Sequence, residues 1–209
     1  MPPLVIATNN RGKLREYQEL LDGCGFELVT PAEAGAAGFN PEETGATYAE
    51  NAVIKAREAA RATGLPSLAD DSGIGVDALG GRPGILSARY AGGDRTDPGI
   101  SEGEQRRLLL GELRGVPGER RTARFVCVIA VATPAGEVRT VEAKWEGRIA
   151  REERGGHGFG YDPVFEPEGY GGKTSAELPP DEKNRVSHRG QAAALAMELL
   201  RELRVTDDG

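Results

Sequence analysis

The stretch "SLADDSGIGVDALGG" (residues 67–81) places two adjacent carboxylates, Asp70 and Asp71, between apolar segments. The apolar residues on either side predict two buried strands, with an acidic turn at the end of the first strand. A buried carboxylate is costly unless a cation or a metal ion compensates its charge. The pattern therefore favours a functional site at this turn. The alternative is that Asp70, Asp71 and Ser72 form a solvated turn.

The preceding segments indicate the class of fold. "LVIAT" (residues 4–8) predicts a buried strand, residues 12–22 carry apolar side chains at helical spacing, and "FELVT" (residues 26–30) predicts a second strand. A strand, loop, helix and strand in this order are typical of a parallel α/β unit. Residues 31–46, rich in Gly, Pro and acidic residues, are predicted to form a long loop.

Capping boxes, in which Thr or Ser is followed three residues later by Glu, predict two further helices. They begin after Thr47 and Ser101, and the second helix covers residues 103–114. Two segments rich in β-branched residues flank "TPAGE" and predict a β-hairpin over residues 122–147. The remaining predictions are an irregular stretch over 153–186, a last helix from Ser187 to Leu203 and a frayed tail over 205–209.

The composition excludes several classes of protein. The 209 residues suffice for one large domain or two small lobes, and no segment is long and apolar enough to span a membrane. A net charge of -7 argues against general binding along nucleic-acid phosphates. Cys24 and Cys127 are predicted to be reduced thiols, as expected in the cytoplasm. Only five of the 26 basic residues are lysines, which makes each lysine a candidate for a site that needs a compact ammonium.

The stretch "ATNNRGK" (residues 7–13) joins the first strand to the first helix. A hydroxyl, two amides, backbone N–H groups at a helix start and the Lys13 ammonium together suit a phosphate. The alternative is an Asn-rich turn that only caps the helix.

Four carboxylates, Glu42, Glu43, Asp70 and Asp71, are candidates to converge on one Mg²⁺ ion, since this ion prefers oxygen ligands and is commonly shared with a substrate's phosphates. Adjacent residues of a strand point to opposite faces, so only one of the two aspartates is expected to meet the metal directly. With two histidines in the chain, no set of residues has the spacing of a zinc site.

Two later stretches suit the recognition of a planar, oxygen-bearing ligand. "GGHGFGYDPVF" (residues 155–165) offers the Phe159 ring between glycines that permit close approach, although two aromatics packed in a core would give the same pattern. "EKNRVSHRG" (residues 182–190) sets Lys183, His188 and Arg189 at the start of a helix. Cations are disfavoured there unless an anionic or carbonyl-bearing partner is bound, and an ordinary basic first turn is the alternative.

The chain resembles the Ham1-like family over nearly its whole length. The motifs "ATNNRGK", "GFGYDPVF" and "EKNRVSHRG" occur in the order found in that family, together with "EETGATYAENAVIKA", "ADDSGIGVDALGGRPGILSARY" and "RTARF". The resemblance implies an elongated α/β fold with a central mixed β-sheet flanked by helices, forming one domain (residues 1–209) of two lobes with a nucleotide-binding cleft. It also implies Mg²⁺-dependent hydrolysis of ITP, dITP or XTP to the monophosphate and pyrophosphate, a homodimer, and a role in cleansing the nucleotide pool.

The resemblance also assigns roles to individual residues. The triphosphate would be bound by Thr8, Asn9, Asn10, Arg11, Gly12, Lys13, Lys55 and Lys183. The base pocket would comprise Phe159, Gly160, Tyr161, Asp162, His188 and Arg189, with Ser72 also touching the substrate. Asp71 would be the general base, kept at a low pKa by nearby cations, and Glu42 or Glu43 would complete a metal site that also involves Asp70 and Asp71.

Other functions remain open on the sequence alone. A pyrophosphatase of the related Maf type would act on pyrimidine or modified nucleotides. A nucleotide sensor would bind ITP without releasing pyrophosphate, and its intact set of acids argues against that reading. An RNA-binding module is disfavoured by the acidic composition.

Overall fold

The computed structural model describes residues 1–207, with side chains to residue 203. Its strands and helices follow one another as β1 (Pro3–Ile6), α1 (Arg11–Leu20), β2 (Glu27–Val29), α2 (Tyr48–Thr63), β3 (Ser67–Val76), α3 (Glu102–Glu112), β4 (Thr122–Ala132), β5 (Val138–Ile149), β6 (Phe165–Pro167), α4 (Pro180–Val186) and α5 (His188–Asp207). Among the described helices, none is long and apolar enough to cross a bilayer.

All six strands belong to one sheet, in the order β2-β1-β3-β4-β5-β6. Strand β1 pairs in parallel with both β2 and β3, which confirms the α/β unit predicted from the first thirty residues. Strands β5 and β6 are antiparallel, so the sheet is mixed.

The chain divides into two compact units. Unit 1 comprises residues 1–71, 127–143 and 189–209, and unit 2 comprises residues 72–126 and 144–188. Strands β3, β4 and β5 each contain residues of both units.

In unit 1 the alternation of side chains along the strands creates two apolar layers. Leu4, Ile6 and Leu68 pack with residues of α1 and α5. Their neighbours Val5, Ala7 and Ala69 pack with the alanines of α2. Both faces of the strands are therefore covered by helices, which explains why β1 and the start of β3 are apolar without interruption.

Unit 2 has its own core, built from aromatic and branched residues around Phe125, Trp145 and Phe165. The Phe165 ring contacts Phe125 edge-on at a centroid distance of 4.6 Å and Trp145 at 5.5 Å. This cluster anchors the segments on either side of β6.

The structure corrects three predictions about local structure. Strand β3 continues through both aspartates, where the sequence indicated a strand end and a turn. The stretch predicted to be irregular contains β6 and α4, both too short to show a clear periodicity. Helix α5 extends to Asp207, and the last two residues of the predicted 205–209 tail lie outside the described residues.

The contact between β5 and β6 leaves no room for a side chain at Gly147, where a Cβ would lie 2.4 Å from the Glu166 carbonyl oxygen and 2.7 Å from the Phe165 ring. We expect Gly147→Ala to lower the free energy of unfolding by about 1–3 kcal/mol through overpacking. Urea unfolding followed by the fluorescence of Trp145, the single tryptophan, measures this. Gly111→Ala is the control, since a Cβ there meets nothing within 4 Å and the helix should be unchanged or more stable. Equal stability of the two variants would contradict the prediction.

Candidate functional site

The two aspartates of β3 lie on opposite faces of the sheet. Asp70 has the same parity as Leu68 and faces the layer of α1 and α5, whereas Asp71 has the parity of Ala69 and faces α2. Their relative exposures are 2% and 6%. Each therefore needs its own compensating charge.

Asp70 is compensated by two cations from different helices. Its Oδ2 atom lies 2.9 Å from Lys13 Nζ of α1 and 3.4 Å from Arg189 Nη2 of α5. Arg189 is held in turn by Glu16 of α1, with Nη1 2.7 Å from Oε2. Burial opposes ionisation of Asp70, but the attraction of Lys13, Arg189 and Lys55 outweighs it and keeps the pKa of Asp70 well below its usual value.

Asp70 also accepts a weak hydrogen bond from the buried thiol of Cys127, with Sγ and Oδ2 3.8 Å apart. Burial, then the Asp70 charge, raises the pKa of Cys127 to about 12, so the thiol stays protonated and unreactive at neutral pH. Both cysteines are free and buried, which confirms that they do not pair.

Asp71 is the centre of a second cluster. Its Oδ1 atom lies 3.2 Å from Lys55 Nζ, and its Oδ2 atom accepts a hydrogen bond of 3.2 Å from Asn51 Nδ2. The Lys55 ammonium also contacts Glu43 Oε1 at 2.7 Å. One ammonium thus draws together two carboxylates from β3 and from the loop before α2.

The pKa of Asp71 is raised, in contrast to the low value expected from the sequence. Burial is the largest influence and disfavours the charged form, Lys55 and Lys13 oppose it, and the negative charges of Glu43 and Asp70 add to it. For Lys55, burial alone would lower the pKa, but Asp71, Asp70 and Glu43 together raise it, so the ammonium stays charged.

The segment from Thr8 to Lys13 joins β1 to α1, and Asn9, Asn10 and Arg11 are exposed. Asn10 is the N-cap of α1, and its Oδ1 atom accepts hydrogen bonds from the backbone of Gly12 at 2.8 Å and Lys13 at 3.1 Å. Asn10 therefore caps the helix, and its role toward a phosphate stays a prediction. The Lys13 side chain extends to Asp70, so this segment is joined to the Asp70 cluster.

The four predicted metal ligands do not form one group. Within residues 1–207, no set of three or more His, Cys, Asp or Glu side chains is placed to hold a metal ion. Asp70 is committed to cations on the other face of β3, and Glu42 is exposed, whereas Glu43 and Asp71 meet at Lys55. The structure thus favours Glu43 over Glu42 as the partner of Asp71.

In unit 2, residues 158–162, here called the Phe159 loop, are organised by the buried Asp162. Its Oδ2 atom accepts hydrogen bonds from the Phe159 N–H at 2.9 Å and from Lys183 Nζ at 2.6 Å, and its Oδ1 atom accepts one from Ser175 Oγ at 2.9 Å. Gly158 permits this approach, because a Cβ there would lie 2.0 Å from Asp162 Oδ2. The Lys183 ammonium also lies 5.3 Å from the centre of the Phe159 ring.

The other predicted base-pocket residues lie in different surroundings. The Tyr161 hydroxyl donates to the Ser87 carbonyl at 2.9 Å, and the His188 ring stacks on Phe125 at 4.5 Å with an angle of 8° between the planes. His188 is the last residue of unit 2, whereas Arg189 belongs to unit 1 and contacts Glu16 and Asp70. Ser72 follows Asp71 in β3 and is half-buried.

Three residues of these clusters were not predicted: Glu16, Asn51 and Ser175. The sequence held a signal for the first two, because Glu16 lies three residues after Lys13 and Asn51 lies four residues before Lys55, spacings that share a helix face. Asn51 also accepts a hydrogen bond of 2.8 Å from the Gly45 N–H, which ties down the loop that carries Glu43. No local pattern indicated Ser175.

A cluster of two lysines and buried carboxylates beside a helix N-terminus is typical of α/β proteins that bind phosphate-bearing ligands. The comparisons with known proteins narrow this class. The chain belongs to the Ham1 family, whose model matches residues 4–199. The resemblance found in the sequence is thereby confirmed.

Curated relatives match over almost the whole chain. A dITP/XTP pyrophosphatase from Methylococcus capsulatus is 51% identical over 202 residues, covering 96% of each chain. One from Bacillus subtilis is 46% identical over 200 residues, covering 96% of this chain and 98% of its own.

Solved structures agree with the fold. A HAM1 protein from Coxiella burnetii is 43% identical, superposes with a TM-score of 0.83, and covers 97% of this chain and 100% of its own. The Ham1 protein of Staphylococcus aureus is 37% identical, with a TM-score of 0.81 and coverage of 96% and 98%. The predicted α/β fold with a mixed sheet flanked by helices is confirmed.

The contacts of Asp70 predict a strong effect on stability. Asp70→Asn removes the carboxylate beside the half-buried Lys13 and leaves the buried Arg189 paired with Glu16, so we expect the free energy of unfolding at pH 7 to fall by about 3–5 kcal/mol. Because the folded pKa of Asp70 lies below the unfolded value, its stabilisation is complete above about pH 4 and is lost as the pH falls toward the folded pKa. The difference between wild type and variant should therefore shrink below that pH.

Urea unfolding between pH 3 and pH 8 checks this prediction. Asp22→Asn, at an exposed position of the same unit, is the control and should change stability by less than about 0.5 kcal/mol. A difference between Asp70→Asn and wild type that stayed constant with pH would mean that the Asp70 charge does not supply the stabilisation.

Proposed function

We propose that this chain hydrolyses non-canonical purine nucleoside triphosphates (ITP, dITP and XTP) to the monophosphate and pyrophosphate. The observation that carries the proposal is the near-complete coverage of relatives named dITP/XTP pyrophosphatase, at 46–51% identity. Two clusters support it, Lys13 with Asp70 and Lys55 with Asp71 and Glu43, since phosphoryl transfer depends mainly on charge neutralisation and positioning.

The triphosphate is assigned to residues of unit 1. Lys13 and Lys55 supply charge, and each is already oriented by a buried carboxylate, Asp70 or Asp71. Thr8, Asn9, Asn10, Arg11 and Gly12 lie at the start of α1, where the helix dipole favours an anion. The predicted phosphate contact of Lys183 receives less support, because its ammonium is paired with Asp162 and both side chains are about 5% exposed.

Asp71 is proposed to be the general base. It accepts a proton from the attacking water, whose oxygen forms a bond to the α-phosphorus as the bond between that phosphorus and the bridging oxygen breaks. Pyrophosphate leaves with that oxygen, and Lys13 and Lys55 stabilise the charge that develops on it. Asn51 and Lys55 hold the two oxygens of Asp71 in place, so its carboxylate is oriented to accept that proton.

The donor set fits Mg²⁺. Glu43 and Asp71 contact the same ammonium and are therefore close to each other, and Mg²⁺ is commonly bound by one or two carboxylates together with substrate phosphates. Glu43 and Asp71 would hold the ion, with Asp70 in a supporting role through Lys13. When bound, Mg²⁺ would neutralise phosphate charge and lower the pKa of a coordinated water.

The purine is assigned to the Phe159 loop, with Phe159 as the stacking surface. The further contacts proposed for the base are Gly160, Tyr161, Asp162, Ser72 and His188. Inosine and xanthosine carry a 6-keto oxygen where adenosine carries an amino group. A hydrogen-bond donor of the protein placed to bind that oxygen would face an amino group, and so have no acceptor, when adenine is bound. An unpaired polar group of this kind suffices for large discrimination between the two bases. The contacts of Arg189 with Glu16 and Asp70 suit a role in holding Asp70 beside Lys13 rather than direct recognition of the base.

Three broader assignments complete the proposal. The chain acts as one domain (residues 1–209) whose two lobes correspond to units 1 and 2, it forms a homodimer, and it works in the cytoplasm. The free, buried cysteines support a reducing compartment. The related Maf-type activity predicts turnover of pyrimidine or modified nucleotides, and a sensor predicts binding without turnover. A substrate panel that also includes pyrimidine triphosphates, together with a measurement of ITP binding, separates the three.

The role of Asp71 makes a direct prediction. Asp71→Asn keeps the shape of the side chain but cannot take the proton from water, so kcat for ITP should fall by about 10²–10⁴-fold while the fold is retained. Pyrophosphate release from ITP, XTP, GTP and ATP measures this, with circular dichroism as the check on folding. Reaction in ¹⁸O-water should place the label in the monophosphate. Full activity of Asp71→Asn would refute the assignment, and label in the pyrophosphate would refute attack at the α-phosphorus.

The metal assignment is tested by a pair of neighbouring variants. Glu43→Gln removes a carboxylate beside Asp71, so the Mg²⁺ concentration for half-maximal activity should rise by about tenfold or more. Glu42→Gln, at the adjacent exposed position, should leave it unchanged. Activity titrated with MgCl₂ at saturating ITP measures both. The reverse result would assign Glu42 as the ligand, and equal curves would exclude both.

A further inference from the structure

Helix α3 holds the Phe159 loop at a single residue, Gly160, through both of its backbone polar groups. The Gly160 N–H donates a hydrogen bond of 2.8 Å to Glu102 Oε2, and the Gly160 carbonyl oxygen accepts one of 2.7 Å from Arg106 Nη1. Glu102 and Arg106 are four residues apart and share one face of α3. All three residues belong to unit 2.

The position of these bonds matters because Gly160 has no side chain to restrict its backbone. Its φ is +59°, and a glycine there adopts many conformations unless its backbone is bonded. The Asp162 carboxylate fixes the Phe159 N–H, one residue earlier in the chain. The hydrogen bonds from α3 fix the next residue, so the backbone that carries the Phe159 ring is held at two successive residues, and the ring itself lies 5.3 Å from the Lys183 ammonium.

The donor and acceptor on α3 are themselves oriented. Arg106 is 15% exposed, and its Nε atom lies 2.8 Å from Glu153 Oε2, which directs Nη1 toward Gly160. Glu102 lies in the first turn of α3, where the helix dipole stabilises its negative charge. Both hydrogen bonds to Gly160 therefore involve a charged group and are stronger than bonds between neutral groups.

We infer that Glu102 and Arg106 are positioning residues for purine binding, which act through Gly160 to hold the Phe159 ring ready to stack on the base. This inference rests on the proposed function, because it takes the Phe159 loop as the surface that receives the base. A preformed loop spares the substrate the cost of ordering it, so loss of the clamp weakens binding. The chemical step, assigned to residues of unit 1, should be unaffected.

Steady-state kinetics with ITP tests this role. We expect Glu102→Ala and Arg106→Ala each to raise KM by about tenfold with kcat within about twofold of wild type. This is the pattern expected when the bound substrate and the transition state lose the same amount of binding energy. Glu102→Gln keeps an acceptor for the Gly160 N–H and should restore KM. Glu104→Ala and Arg107→Ala are matched controls, since both positions are exposed on the same helix, and they should behave as wild type.

Amide exchange of Gly160, followed by NMR on the labelled full chain without substrate, tests the clamp independently of activity. It should be at least about tenfold faster in Glu102→Ala than in Glu104→Ala, because only the former loses the acceptor of that N–H. Unchanged Gly160 exchange, or unchanged KM in an active Glu102→Ala enzyme, would overturn the inference. A wild-type protein that released no pyrophosphate from any purine triphosphate would refute the proposed function instead, with the exchange rates still deciding whether the clamp exists.

Discussion

Two negative charges are buried side by side within a strand, and much of unit 1 is arranged to compensate them. Strand alternation turns Asp70 toward α1 and α5 and Asp71 toward α2, so each face of β3 must supply cations or donors. Lys13 and Arg189 do so on one face, and Lys55 with Asn51 on the other. Because removal of one partner of a buried pair costs several kcal/mol, these contacts fix three helices against the sheet.

The compensation is unequal, and the difference separates two roles. Asp70, between two cations, has a pKa well below its usual value, whereas burial and neighbouring acids raise the pKa of Asp71. When the environments of two adjacent carboxylates shift their pKa values in opposite directions, the two groups can serve different roles. Asp70 suits the constant orientation of Lys13, and Asp71 suits the exchange of a proton.

In unit 2 a single buried carboxylate, that of Asp162, is also compensated by a cation and by hydrogen-bond donors. Asp162 accepts hydrogen bonds from a lysine, a serine and the backbone of Phe159, and so converts a glycine-rich segment into a defined loop. Helix α3 holds the same loop from Gly160. Such a loop presents an aromatic ring in one orientation, although glycines give the isolated segment great conformational freedom.

The α/β class could be predicted from the amino-acid sequence, as could the capped helices, the family and most residues of the two clusters, because helical and strand periodicity and the ordered motifs are local properties. The sequence did not determine that β3 runs through Asp70 and Asp71, since the charges that permit a buried acidic strand come from Lys13, Lys55 and Arg189, far away in the chain. Tertiary structure likewise determines the partners of Arg189, the contact of Glu43 with Lys55 and the hydrogen bonds of Gly160. Each depends on which distant side chains meet at one buried point, and no local pattern encodes that.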